Sequence, residues 1–147
     1  MGIENSSEQR SAKRTARING LLVDVDALKL AENKFAVRAV SSEELSFFRQ
    51  HDRGWLTEAG ETIGPKQIID LAESCGANFD VMIECQPSWK EHIDRVRRVD
   101  FLTPILVTEA LDLIDGAHRI TKMFIEKRTE ISARIVPTEE LKKYQIG

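Results

Sequence analysis

Residues 104–136 read PILVTEALDLIDGAHRITKMFIEKRTEISARIV, and this stretch decides the fold class. It opens at Pro104 on an aliphatic and β-branched run, ILVT, of strand length. A short turn leads to a second apolar segment, LDLID, which stops at Asp115-Gly116. From Ala117 the spacing changes: Ile120, Met123 and Phe124 recur three and four apart, as on a helix with one face in a core. EISARIV then reads with a period of two, with Ile131, Ala133 and Ile135 on one face. Strand, strand, helix and strand in immediate succession predict an α+β fold, a small mixed sheet with flanking helices.

Working outward, PTEELKKY closes the chain as a capped helical turn. Upstream, SWKEHIDRVRRVD starts at Ser88 and places Trp89, Ile93, Val96 and Val99 at helical spacing, with Glu91 four residues before Arg95. GPKQIIDLAESCG is a punctuated helix, with Pro65 in its first turn and Gly76 as its stop. NFDVMIECQP stays open between strand and loop. Arg49 to Gly64 reads as a long loop that contains His51 and Trp55. In SSEELSFF, Ser41 or Ser42 is the expected cap of a short helix anchored by Leu45, Phe47 and Phe48. LLVDVDALKL and FAVRAV are expected to pair as strands across a turn at Asn33-Lys34. Residues 1–18, with Arg10, Lys13, Arg14 and Arg17, read as a basic tail, leaving 19–147 as one domain.

A formal charge of −3 argues against a surface built as a whole for nucleic-acid backbone, so any such contact falls to the tail. The pattern Met-Gly-Ile-Glu-Asn-Ser matches an acylation signal only superficially. Cys75 and Cys85 have no Cys or His neighbours at metal-ligand spacing, and no zinc pattern is present. No apolar run reaches the roughly 18 residues of a membrane span. The expectation is a cytoplasmic protein with reduced thiols, no membrane partner and no resident metal. Neither a Walker-type loop nor Gly-x-Gly-x-x-Gly occurs.

The chemistry concentrates where the second strand gives way to the helix. The first amides of a helix lack intrahelical partners, and the macrodipole adds partial positive charge there. Gly116 leaves those amides bare, and His118 and Arg119 stand in the first turn with Lys122 one turn on. Gly116, Ala117, His118, Arg119 and Lys122 are therefore the expected phosphate-binding residues. Asp115 has three readings: helix cap, partner that orients His118, or magnesium contact. His92 and Arg95 share a helix face and either reach or brace this site, or belong to a solvated surface. Trp55 is open between base stacking and anchoring its loop. Glu58, Glu61, Asp80 and Glu84 are carboxylates in loop-like sequence, and nothing selects one of them as a catalytic base.

The run from Pro104 to Val136, with DGAHR between two strands and a helix, resembles the ParB/sulfiredoxin-like superfamily. The lead-in, HIDRVRRVDFLTPILV, looks like that of its small ParB-like members with an Asp-Gly-x-His-Arg motif, so the resemblance covers about residues 88 to 136. The resemblance implies nucleotide binding at Gly116 to Arg119, with ATP, ADP or CTP and magnesium as the ligand set. Sulfiredoxins carry a catalytic cysteine where this chain has Ala117, so sulfinic-acid reduction is not expected. Partitioning ParB proteins continue into a helix-turn-helix domain, which the sequence after Val136 does not supply. Their signature also has Glu-Arg-Arg in place of Ala-His-Arg. Phosphoryl transfer or nucleotide hydrolysis is the expected reaction if the protein is an enzyme. The alternatives are a nucleic-acid-associated, nuclease-like module and a non-catalytic interaction or regulatory domain.

Overall fold

The computed structural model describes residues 14–146. Along them run β1 (Thr15–Ile18), β2 (Leu21–Asp24), α1 (Val25–Leu30), β3 (Val37–Ser41), β4 (Trp55–Leu56), β5 (Thr62–Ile63), α2 (Pro65–Ser74), α3 (Phe79–Cys85), α4 (Lys90–Arg98), β6 (Ile105–Thr108), β7 (Leu113–Asp115), α5 (Ala117–Ile125), β8 (Glu130–Val136) and α6 (Thr138–Lys143). Helices flank a four-stranded sheet of order β3-β8-β6-β7, and β1-β2 and β4-β5 pair as separate two-stranded ribbons. The architecture is mixed α+β. No described helix is long and apolar enough to cross a membrane.

The chain groups into two compact units. The described part of the first comprises residues 14–37, 106–115 and 134–146; the second comprises 38–105 and 116–133.

In the first unit, β1 and β2 form an antiparallel hairpin in register Ala16↔Val23 and Ile18↔Leu21. The turn is Asn19-Gly20, both at positive φ, a conformation that asparagine and glycine adopt at least cost and that matches strand twist. Residues 1–13 of the expected tail lie outside the described residues, and residues 15–18 are β1. Ile18 is buried beside Val23, so ordered chain begins before residue 19. The pairing expected between LLVDVDALKL and FAVRAV is corrected too. β2 stops at Asp24, whose carboxylate accepts from the Ala27 amide (3.0 Å) and caps α1. The neighbour of β3 is β8 instead. The core of this unit gathers Ile18, Val23, Val25, Leu28, Leu106 and Val136 among others.

In the second unit, α2 starts as expected, with Gly64 at its cap and Gln67 Oε1 accepting from the Gly64 amide (2.8 Å). The ambiguous segment after it is a helix, α3, because Asn78 accepts from the Val81 amide (3.1 Å) and Met82 is fully buried. Ser41 and Glu44 cap one another reciprocally (3.0 and 2.9 Å). They lead into a 3₁₀ segment, Ser46–Gln50; here Leu45 and Phe48 are buried and Phe47 is 53% exposed. Phe47 is therefore no core anchor. Within the expected long loop, Trp55 pairs with Ile63 and Leu56 with Thr62. Ile63, Ile68, Ile69, Met82, Ile93 and Val96 form the core beneath.

Candidate functional site

α5 begins at Ala117, and its N-cap, Gly116, has no side chain with which to cap the first turn. Gly116 has φ 122°, and a β-carbon there would stand 2.5 Å from Cγ2 of Ile105. Glycine is thus required twice, by the backbone conformation and by the packing of the helix start on the first residue of β6. The space that the sequence assigns to an approaching ligand is filled in part by Ile105. The glycine-started first turn remains. In α2, the Lys66 amide in the first turn donates to the His51 carbonyl (2.9 Å).

His118 sits in that first turn of α5 and stacks on the indole of Trp55, centroids 4.4 Å apart and planes 9° from parallel. His92 of α4 stacks on the same indole at 5.3 Å and lies 5.9 Å from His118, again nearly parallel. The three centroids form a triangle rather than a column. Nε2 of His92 lies 2.8 Å from the Leu56 carbonyl, so in the neutral ring Nε2–H donates and Nδ1 carries the lone pair. His92 is 6% exposed, and its buried Nδ1 has no hydrogen-bond partner among the described residues. A buried acceptor left so is costly.

α4 is held in place from both ends. Asp94, also buried, accepts from Lys90 (2.7 Å) and pairs with Arg97, and these partners, Lys90 first, keep its carboxyl below the ordinary range. Arg97 reaches on to Asp80 (2.9 Å). At the far end, Lys122 of α5 donates to the carbonyls of Arg97 and Val99, 2.7 Å each. A cation at a helix C-terminus satisfies carbonyls that have no other intrahelical donor.

The remaining expected residues are placed as follows. Arg119 is half-buried and its Nη1 donates to the Pro104 carbonyl (3.2 Å). Asp115, at the end of β7, pairs with Arg14 (2.8 Å) and Lys29 (3.4 Å). Arg95 is exposed and 3.7 Å from Glu91, the i, i+4 pair read from the sequence. Of the loop carboxylates, Glu61 accepts from the indole N–H of Trp89 (2.7 Å). Among the described residues no group of three or more His, Cys, Asp or Glu side chains is arranged to hold a metal ion.

The structure therefore brings His92 and His118 together on Trp55 at the start of α5, and gives Lys122 a bracing task. The part of Trp55 was the least visible in sequence. It lies far along the chain from both histidines, and no local pattern marks a stacking partner. No protein-family model, curated protein or solved structure matches this chain.

Proposed function

We propose that the protein binds a nucleotide or another phosphorylated ligand at the N-terminus of α5, as a ParB/sulfiredoxin-like domain. The observation that carries this reading is the glycine-started first turn of α5, with His118, stacked on Trp55, and Arg119 in it. Three successive amides there have no intrahelical acceptor and the positive end of the helix dipole behind them, which suits a phosphate group. His118 is held by stacking rather than left to sample rotamers, so ordering it for a ligand costs little further entropy. Arg119 has donors beyond the one spent on Pro104.

Magnesium fits this reading as a passenger on the nucleotide's own phosphates. Asp115, the carboxylate adjacent to the turn, is engaged by Arg14 and Lys29, and magnesium commonly binds through substrate phosphates with few protein ligands. The proposal is one of binding. If a phosphoryl group is transferred, the residues named here would act by positioning and by neutralising charge.

The test is calorimetric titration of ATP, ADP, CTP and GTP, with and without magnesium, into the protein and into His118→Ala and Arg119→Lys. Binding of at least one nucleotide, weakened tenfold or more in both variants while each still melts cooperatively, supports the reading. Absence of binding for all four nucleotides removes the nucleotide from it.

A further inference from the structure

We propose that a cleft in the first unit, lined by residues 34–36, 135–137 and α6, binds an apolar-bodied monocarboxylate such as a short fatty acid or an arylalkanoate. The cleft has a volume of about 470 Å³, within the range of small-molecule sites. Phe35, Ala36, Ile135 and Pro137 give it an apolar lining, and Lys34, Glu140 and Lys143 give it a charged end. The main chain of that lining is pinned. Arg134 Nη1 donates to the Phe35 carbonyl (2.9 Å), and the Ile135 amide donates to the Ala36 carbonyl (2.9 Å). All of these residues belong to the first unit, whereas the first turn of α5 belongs to the second.

The charged end selects the ligand. One carboxylate, Glu140, holds two ammoniums: Lys143 donates to Oε2 (2.7 Å), and Lys34 Nζ stands 3.0 Å from Oε1. Lys143, and then Lys34, keep the Glu140 carboxyl below its ordinary range, so the trio carries a net positive charge. Oε1 is buried and receives no aligned hydrogen bond among the described residues. The pairing with Lys34 is therefore one of charge, and it leaves the N–H groups of that ammonium to another acceptor. The same ammonium lies 5.6 Å from the ring centroid of Phe35, so head and lining adjoin. A ligand carboxylate at the two ammoniums can lay its apolar body along Phe35 and Ile135. A monoanion balances the trio, whereas a dianion leaves surplus negative charge beside Glu140. Both lysine side chains are more than half exposed, so the ion pairs choose the ligand and the apolar lining supplies most of its binding.

The probes are octanoate and 3-phenylpropionate, titrated into the isotope-labelled full chain, with octylammonium and octyl phosphate alongside. The phosphate is tested at about pH 8, where it is a dianion. Both carboxylates should shift the amides of Lys34, Phe35, Ala36, Ile135 and Lys143 in a saturable way. Octylammonium should leave them still, and octyl phosphate should bind more weakly than octanoate. Lys34→Gln and Lys143→Gln should each weaken octanoate by about threefold or more. Glu140→Gln removes the competing carboxylate and keeps both ammoniums, so it should tighten octanoate by about threefold. Dispersed spectra show which variants are folded, and the two lysine variants decide the matter if Glu140→Gln is not. No saturable shift at these amides with either carboxylate would overturn the proposal. So would octylammonium or octyl phosphate binding as well as octanoate, unchanged affinity in both lysine variants, or weaker binding in a folded Glu140→Gln.

Discussion

Trp55 and His118 stack with their ring centroids 4.4 Å apart, joining the small β4-β5 ribbon to the first turn of α5. The indole also carries His92, so one aromatic face fixes two imidazoles.

Trp55→Ala should remove both stacks. An aromatic contact of this kind and the partly buried area that goes with it amount to about 1–3 kcal/mol. Chemical denaturation should show that loss, and Trp55→Phe should recover more than half of it. An Ala variant as stable as the parent would mean that the rings merely lie near one another.

Gly116→Ala should be among the most damaging small substitutions in the second unit. It combines a φ of 122° with a β-carbon 2.5 Å from Ile105. Backbone strain and overpacking together are expected to cost about 2–5 kcal/mol. Urea unfolding measures this directly. Adding Ile105→Val to Gly116→Ala should leave most of the loss in place, because Val retains the β-branch.

Lys122→Met keeps the aliphatic stem and deletes the ammonium that bridges the Arg97 and Val99 carbonyls. Loss of charge-assisted bonds of this type costs about 1.5–3 kcal/mol. Faster amide exchange in the last turn of α4, with α2 unaffected, would localise the effect. Nucleotide affinity measured well below the melting transition separates bracing from phosphate contact.

The carboxylates set the acid side of stability. Lys143 and then Lys34 lower Glu140, the Thr138 amide and hydroxyl lower Glu109, and Lys66 and then Arg49 lower Asp70, alongside Asp94. Each group binds its proton more weakly in the folded chain than in the unfolded one. The stability they contribute is therefore complete above the ordinary carboxylate values of 4.5 and 3.8 and is lost as pH falls through the lowered ones. Urea midpoints should drop as pH goes from about 5 to about 3. Asp94→Asn should flatten part of that slope, and a midpoint that rises on acidification would contradict the account.

Residues 104–136 were legible because their signals are local: apolar runs of strand length, then a change of period at Ala117. α2 was legible for the same reason, through Pro65 and Gly76. The β1-β2 hairpin carried the strong local signal Asn19-Gly20, which the basic character of the flanking residues masked. α1 and α3 turn on the capping geometry of Asp24 and Asn78, short polar residues that serve loops equally well. At the site, the glycine, the histidine and the arginine were readable as types at a junction. Ile105 filling the space over Gly116, Lys122 reaching α4 and Trp55 receiving both histidines are tertiary facts. They depend on which elements pack together, and sequence spacing does not encode that.

If the first turn of α5 receives a phosphate group, as proposed above, its backbone amides report on it directly. In an isotope-labelled sample, ATP with magnesium, or CTP where calorimetry favours it, should shift the amide resonances of Ala117, His118 and Arg119 in a saturable way, with the Trp55 indole following. The Lys66 amide in the closed first turn of α2 should stay still. Resonances at 117–119 that do not move at millimolar nucleotide or pyrophosphate would contradict the account.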